Sequence, residues 1–235
     1  MNNQEFLQAI SSSFNEFIKS GSSRSTAKLK PLHGAIARDI KQRLGDEYEV
    51  CSMGYDTGRE VNIMGRYFDK RVDITIIRGK EVVAGIGVKF IMQNYSQNSN
   101  NYFENMLGET ANIRSGNHPY FQIFIVLDKL PYYNREGDIK KWETFTNHNF
   151  QKYVTLSGDD ADVYMHTPNK TLIYVVGVPD IEKLVTSKAE YLGYFAKKPC
   201  VFELSGHTYD ALKAAAIMND YKSFISKVYH TILAR

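Results

Sequence analysis

The chain has 235 residues, of which 43% are hydrophobic, 13% aromatic and 23% charged, with a formal net charge of +3. That composition excludes a globally disordered chain, and the mild positive charge is compatible with a nucleic-acid partner without arguing for one. Cys51 and Cys200 lie far apart with no Cys or His at ligand spacing, which speaks against a zinc site or a disulfide framework.

The first residues, MNNQEFLQAI, lack the basic and apolar regions of a signal peptide, and no apolar run approaches the length of a membrane span. The expectation is a soluble, cytoplasmic protein with no membrane partner. Phe6, Leu7, Ile10, Phe14, Phe17 and Ile18 recur at three- and four-residue spacing and predict an amphipathic first helix. A polar connector over 21–28 leads to a second helix over 31–44, ended by Gly45.

Beyond residue 48 the period changes. Val61 and Ile63, then Val72, Ile74 and Ile76, alternate with polar residues as half-buried strands do. Arg78-Gly79-Lys80 marks a turn, and 81–90 reads as a strand antiparallel to the one before it. The polar run 93–101 reads as a loop and 102–114 as a helix. Residues 120–127 (YFQIFIVL) have the continuous apolar character of a central strand covered on both faces, and a further strand is expected over 171–178. The end reads as helical, with Leu212, Ala215, Ala216, Phe224, Ile225, Val228 and Ile232 as its apolar positions. This order predicts an α/β sandwich.

The hairpin RVDITIIRGKEVVAGIGVKF carries the chemistry. Strand side chains alternate faces, so Val72, Ile74 and Ile76 are expected to share the core face while Asp73 and Thr75 point the other way. On the next strand Val82, Ala84, Ile86 and Val88 form the apolar face, and Glu81, Val83, Gly85, Gly87 and Lys89 the opposite one. Asp73 and Lys89 are then expected side by side, with Gly85 and Gly87 leaving room for a metal ion and a phosphate. A carboxylate suits a hard cation such as Mg²⁺, and the lysine suits developing negative charge on a phosphodiester.

Val72-Asp73 on one strand and Gly87-Val88-Lys89 on the next resemble the PD-(D/E)xK nucleases, which include many type II restriction enzymes. The resemblance covers roughly 48–127, and the family's central mixed β-sheet flanked by helices agrees with the element order. It implies a single nuclease domain over 1–235, with N-terminal helices in 1–45, the core in 46–180 and a mainly helical part in 181–235. The resemblance further implies an Mg²⁺-dependent endonuclease acting on double-stranded DNA, as a homodimer in the restriction-enzyme case. The rivals are a non-catalytic binding module and a repair or junction nuclease on the same fold.

The chain departs from the family pattern at two places. Val72 stands where Pro is frequent, and Gly87 stands where the second acidic residue belongs. In a subset of the family's restriction enzymes the following helix supplies that carboxylate. Glu104 and Glu109 both fall on the helix expected here, and Glu104, fifteen residues after Lys89, is the first choice. Asp73, Glu104 and Glu109 are thus the candidate metal ligands and, with Lys89, the candidate catalytic residues. Glu49 and Glu60 are possible upstream ligands that read more simply as surface residues. Gln93, Asn94, Tyr95 and Asn98 are candidate DNA contacts in the polar run. Asn147-His148-Asn149 lacks the partners of an HNH site, and Asp159, Asp160 and Asp162 read as a turn. The C-terminal helix, through Leu212, Phe224, Val228 and Ile232, is a candidate dimer interface or, equally, packs on its own domain.

Overall fold

The computed structural model describes residues 1–21, 25–207, 209 and 216–235. α1 (Asn3–Ser20) starts at a reciprocal cap in which Asn2 accepts the Glu5 N–H and Glu5 accepts the Asn2 N–H, satisfying two donors that a helix start leaves orphaned. α2 (Leu29–Leu44) begins slightly before the expected position. β1 (Tyr48–Ser52), a small hairpin of β2 (Val61–Met64) and β3 (Asp69–Val72), then β4 (Ile74–Arg78) and β5 (Glu81–Ile91) follow. α3 (Tyr95–Arg114) leads to β6 (Tyr120–Leu127), a second hairpin of β7 (Lys129–Tyr133) and β8 (Ile139–Thr144), α4 (Asn147–Gly158) and β9 (Lys170–Gly177). The chain closes with α5 (Lys188–Lys197), β10 (Glu203–Leu204), β11 (Ile217–Met218) and α6 (Tyr221–Leu233).

The central sheet runs β1-β4-β5-β6-β9-β10, with β11 also on β9. β4 is antiparallel to both of its neighbours, β1 and β5, whereas β5, β6 and β9 are parallel, so the sheet is mixed. Every residue of β6 is buried, as its unbroken apolar run requires. On one face Phe224 of α6 meets Phe121 edge-on and Phe6 of α1 meets Tyr174. On the other, Tyr153 of α4 lies against Phe124, and Glu109 of α3 bonds Tyr120. The expected α/β architecture, a central mixed sheet flanked by helices, is therefore what the chain adopts.

Four local expectations are corrected. The polar run after residue 93 is the start of α3, because Tyr95 is buried against Phe145 and the Ser96 N–H donates to Glu143 at 3.2 Å. These partners lie far along the chain, where local pattern gives no sign of them. The expected strand through Val72 and Ile76 breaks at Asp73: Val72 packs with Ile63, Ile113 and Tyr120 in a small second cluster, whereas Ile74 and Ile76 enter the main core. The region 181–235 is not simply helical, since β10 and β11 extend the central sheet. Phe224, Val228 and Ile232 are fully buried against the chain's own core and offer no dimer surface; Leu212 and Ala215 lie outside the described residues. Among the described residues no helix is long and apolar enough to cross a membrane.

The β2–β3 turn is held by one side chain. Asn112 of α3, buried, accepts the Tyr67 N–H at 2.9 Å and the Phe68 N–H at 3.4 Å and donates to the Phe68 carbonyl at 2.9 Å. Asn112→Ala would remove the acceptor of the Tyr67 and Phe68 N–H groups, leaving the Phe68 carbonyl only its Gly65 partner, and should cost roughly 1–3 kcal/mol. Hydrogen exchange should accelerate first at Tyr67 and Phe68; unchanged protection there would show that the turn does not depend on Asn112.

Candidate active site

Asp73 occupies the bend between β3 and β4, where the chain passes from the small sheet into the large one. Its main chain is fixed by the Ser52 hydroxyl, which donates to the Asp73 carbonyl at 2.8 Å, and its carboxylate by the Val88 N–H, which donates to Oδ2 at 2.7 Å. The register of Ile74 opposite Ile86 carries Asp73 alongside Gly87. Burial pushes the Asp73 carboxyl up to about 6; Val88 opposes the shift and Glu109 adds to it.

Lys89 follows on β5, its ammonium 4.6 Å from the centre of the Tyr102 ring of α3. Desolvation lowers its pKa, and the carboxylates of Asp73 and Glu109 pull it back up. Glu109 is held from two sides: the Tyr120 hydroxyl donates to Oε1, and the Lys70 ammonium of β3 lies 2.8 Å from Oε2. Asp73, Lys89, Glu109, Gln122 and Lys28 line one cavity of about 370 Å³, closed on the helix side by Tyr102 and Met106. The sequence-predicted pair is thus brought together, and of the two candidate glutamates it is Glu109 that joins it. Glu104 is exposed, does not line this cavity and acts instead on Lys152.

Gly87 lines the cavity beside Asp73, Lys89 and Glu109, whereas Gly85 is not part of that lining. A Cβ at Gly87 would stand 2.5 Å from the Tyr120 hydroxyl and 2.8 Å from Gln122 Oε1, and one at Gly85 would meet Ile63 at 2.7 Å. A side chain at position 87 would therefore have to displace the Tyr120 hydroxyl and the Gln122 amide. That hydroxyl is the one that holds Glu109.

The candidate DNA contacts fare unevenly. Tyr95 is buried and cannot reach a ligand outside the fold. Asn94, in the left-handed region at φ +51°, accepts the Tyr133 N–H at 2.9 Å and so shapes the turn into α3. Gln93 and Asn98 line a cavity of about 270 Å³ together with Lys28, Lys89 and Tyr102, next to the Asp73 cavity. Glu49 is exposed on β1 and accepts the Cys51 thiol at 3.3 Å. The Asp160 turn is present, with Asp160 Oδ1 accepting the Asp162 N–H at 2.9 Å. Asn149 serves in the cap of α4 with Thr146. A separate cavity of about 560 Å³ between α3 and α4 is lined by His148, Lys152 and His166 and does not include Asp73.

Sequence reasoning missed His33. It lies on α2 at the helical spacing of Ile36, Ala37 and Ile40, all buried, so its place on the inward face was available as a signal. One ligand atom each of His33, Glu60 and Asp73 lies within 4.8 Å of the others. Burial holds the His33 imidazole down at about 4, against an upward pull from Glu60, and burial followed by Asp73 raises Glu60.

The chain matches no family model, no curated protein and no solved structure.

Asp73 gives a pH-dependent prediction. With its carboxyl raised from 3.8 to about 6, the fold keeps a proton that the unfolded chain has already lost, so this contribution to stability is lost as pH rises through about 6. Asp73→Asn keeps an acceptor for Val88 and removes the charge, so it should stabilise the metal-free protein at about pH 8 by roughly 1–3 kcal/mol. Thermal melts across pH check this; a variant less stable than wild type at every pH would contradict it.

Proposed function

We propose that this chain is a divalent-cation-dependent endonuclease that hydrolyses the phosphodiester backbone of duplex DNA, related in chemistry to the PD-(D/E)xK enzymes it resembles. The observation that carries the reading is the convergence of Asp73, Lys89 and Glu109 on one cavity, from a β-bend, a β-strand and a facing helix. Two carboxylates with satisfied outer partners suit a hard cation, and Tyr120 and Lys70 orient Glu109 as such partners do. Asp73 and Glu109 would hold Mg²⁺, which supplies Lewis-acid polarisation of a phosphate and acidification of a water. Lys89 supplies hydrogen bonds and positive charge to phosphate oxygens as negative charge develops, and Lys28, which also lines the cavity, adds to that field.

A grip on DNA is supported by the β2–β3 turn rather than by the start of α3. Met64, Tyr67 and Phe68 are exposed there, the Arg66 guanidinium lies 5.9 Å from the Tyr67 ring centre, and Asn112 holds the backbone. Exposed aromatic and cationic side chains on a held turn suit stacking on bases and contact with phosphates. A homodimer, matching two-fold DNA symmetry, would use surfaces other than the buried face of α6. The second reading, a binding module without catalysis, draws on Glu109, whose two carboxylate oxygens both have partners within the chain.

Digestion of supercoiled plasmid with Mg²⁺, beside an EDTA control, tests the proposal. Wild type should nick or linearise the DNA. Asp73→Asn, Lys89→Ala and Glu109→Gln should each slow cleavage by at least roughly 100-fold while the protein stays folded. Glu104→Gln should stay within about threefold of wild type, since no interaction at the cavity is lost. Defined fragments would place the enzyme with restriction endonucleases, and structure-dependent cuts with repair nucleases. DNA binding with no cleavage in Mg²⁺ or Mn²⁺ would replace the proposal by the binding module.

Tyr67→Ala should weaken duplex binding by roughly 5- to 150-fold, the loss expected for one stacking contact worth about 1–3 kcal/mol. A binding isotherm unaffected by Tyr67→Ala and Phe68→Ala together would remove the turn from the DNA interface.

A further inference from the structure

His33 poses a question the nuclease reading leaves unanswered. It is 1% exposed, and among the described residues neither ring nitrogen has a hydrogen-bond partner. An unpaired buried polar atom costs about 1–3 kcal/mol, and native folds rarely leave one without a role.

The fold holds the ring where it is by close backbone contact. A side chain at Gly34 would run into the Gly54 carbonyl, and one at Gly54, which sits at φ +81°, would run into the carbonyl of Lys30. α2 is therefore pressed onto the turn that leaves β1, two residues after the Ser52 whose hydroxyl fixes the Asp73 carbonyl. Glu60 arrives by a third route. Val61 pairs with Val72 at the end of the β2–β3 ladder, and extending that register by one residue sets Glu60 beside Asp73.

Three elements thus deliver an imidazole and two carboxylates whose ligand atoms lie within 4.8 Å of one another. Ligand atoms each about 2.0–2.2 Å from one ion stand roughly 3–4 Å apart, so closure around a cation asks for only a small movement of the side chains. The unpartnered imidazole belongs to the donor class that suits transition ions, whereas a purely carboxylate site suits Mg²⁺ or Ca²⁺.

We infer that His33, Glu60 and Asp73 form a binding site for a first-row divalent transition ion, distinct from the Asp73–Glu109 pair and joined to it through the shared Asp73. The inference deepens the nuclease reading by adding a second cation position that shares Asp73 with the first, and its donor set stands independently of whether the chain cleaves DNA.

Mn²⁺ is the probe. Its binding to the full chain is followed by loss of the free-ion electron paramagnetic resonance signal, and its ligands by pulsed detection of ¹⁴N coupling from a bound imidazole. Wild type should bind Mn²⁺ at least roughly tenfold more tightly than Mg²⁺ and show the nitrogen coupling. His33→Leu should abolish the coupling and should fold, because it exchanges two unpaired nitrogens for an apolar side chain. Glu60→Gln, at a half-buried position that tolerates an isostere, should weaken Mn²⁺ binding by about tenfold or more, on the scale of losing support at a metal site. Glu109→Gln should keep the nitrogen-coupled ion even as it loses cleavage. Absence of nitrogen coupling in wild type, or its persistence in His33→Leu, overturns the inference, and cleavage accompanying either result leaves the nuclease reading standing. Nitrogen-coupled Mn²⁺ in a protein that cuts no DNA upholds the site and sinks the nuclease reading alone.

Discussion

The bond from the Val88 N–H to the Asp73 carboxylate, together with the Ser52 bond to the Asp73 carbonyl, fixes the point on which the rest of the site is built. At Asp73 the chain leaves the β2–β3 hairpin and enters the central sheet, so no continuous ladder spans the position. A carboxylate can satisfy a backbone N–H across such a break while keeping a second oxygen for another partner. The same break turns Val72 into the small cluster with Ile63, Ile113 and Tyr120 and sends Ile74 into the main core. Moving Asp73 would therefore disturb two hydrophobic clusters as well as one ligand set.

From this anchor the glycine at position 87 has a physical reason. The position next to Asp73 on β5 faces Tyr120 and Gln122 of β6, whose side chains occupy the space a Cβ would need. Tyr120 is buried, and its hydroxyl reaches Glu109 on α3. Glycine, tyrosine and glutamate are thus one steric and hydrogen-bonding unit: the small residue admits the ring, and the ring positions a carboxylate from the helix. Lys70 completes the arrangement by pairing with Glu109 from the hairpin side. Placing an acid at position 87 would dismantle this unit instead of adding a ligand to it.

Much of this was legible in the sequence where the signal was local. Alternation placed Asp73 and Lys89 on neighbouring strands, and the unbroken apolar run of β6 identified the centre of the sheet. What failed depended on distant partners. The start of α3 looks like a polar loop until Phe145 and Glu143 are brought against it, and Tyr95 then becomes core in place of a DNA contact. The choice of Glu104 over Glu109 rests on chain spacing and nearness to the helix start, while which of them reaches the cavity depends on packing against Tyr120. α6 shows the same limit: its apolar stripe was legible, but the choice between a partner subunit and its own core needed Phe121 in view. His33 was overlooked because a lone histidine among apolar positions carries no motif, and Glu60 acquires meaning only through the β2–β3 register.

The central claim is that Asp73 anchors a cation centre. A crystal soaked in Mn²⁺, with anomalous scattering recorded near the manganese edge, tests it most directly. The account predicts an anomalous peak at about 2.0–2.6 Å from the Asp73 carboxylate, the range for oxygen ligands of such ions. A fully occupied Mn²⁺ elsewhere, with Asp73 still bound only to Val88 and no peak within ligand distance of it, would contradict the account.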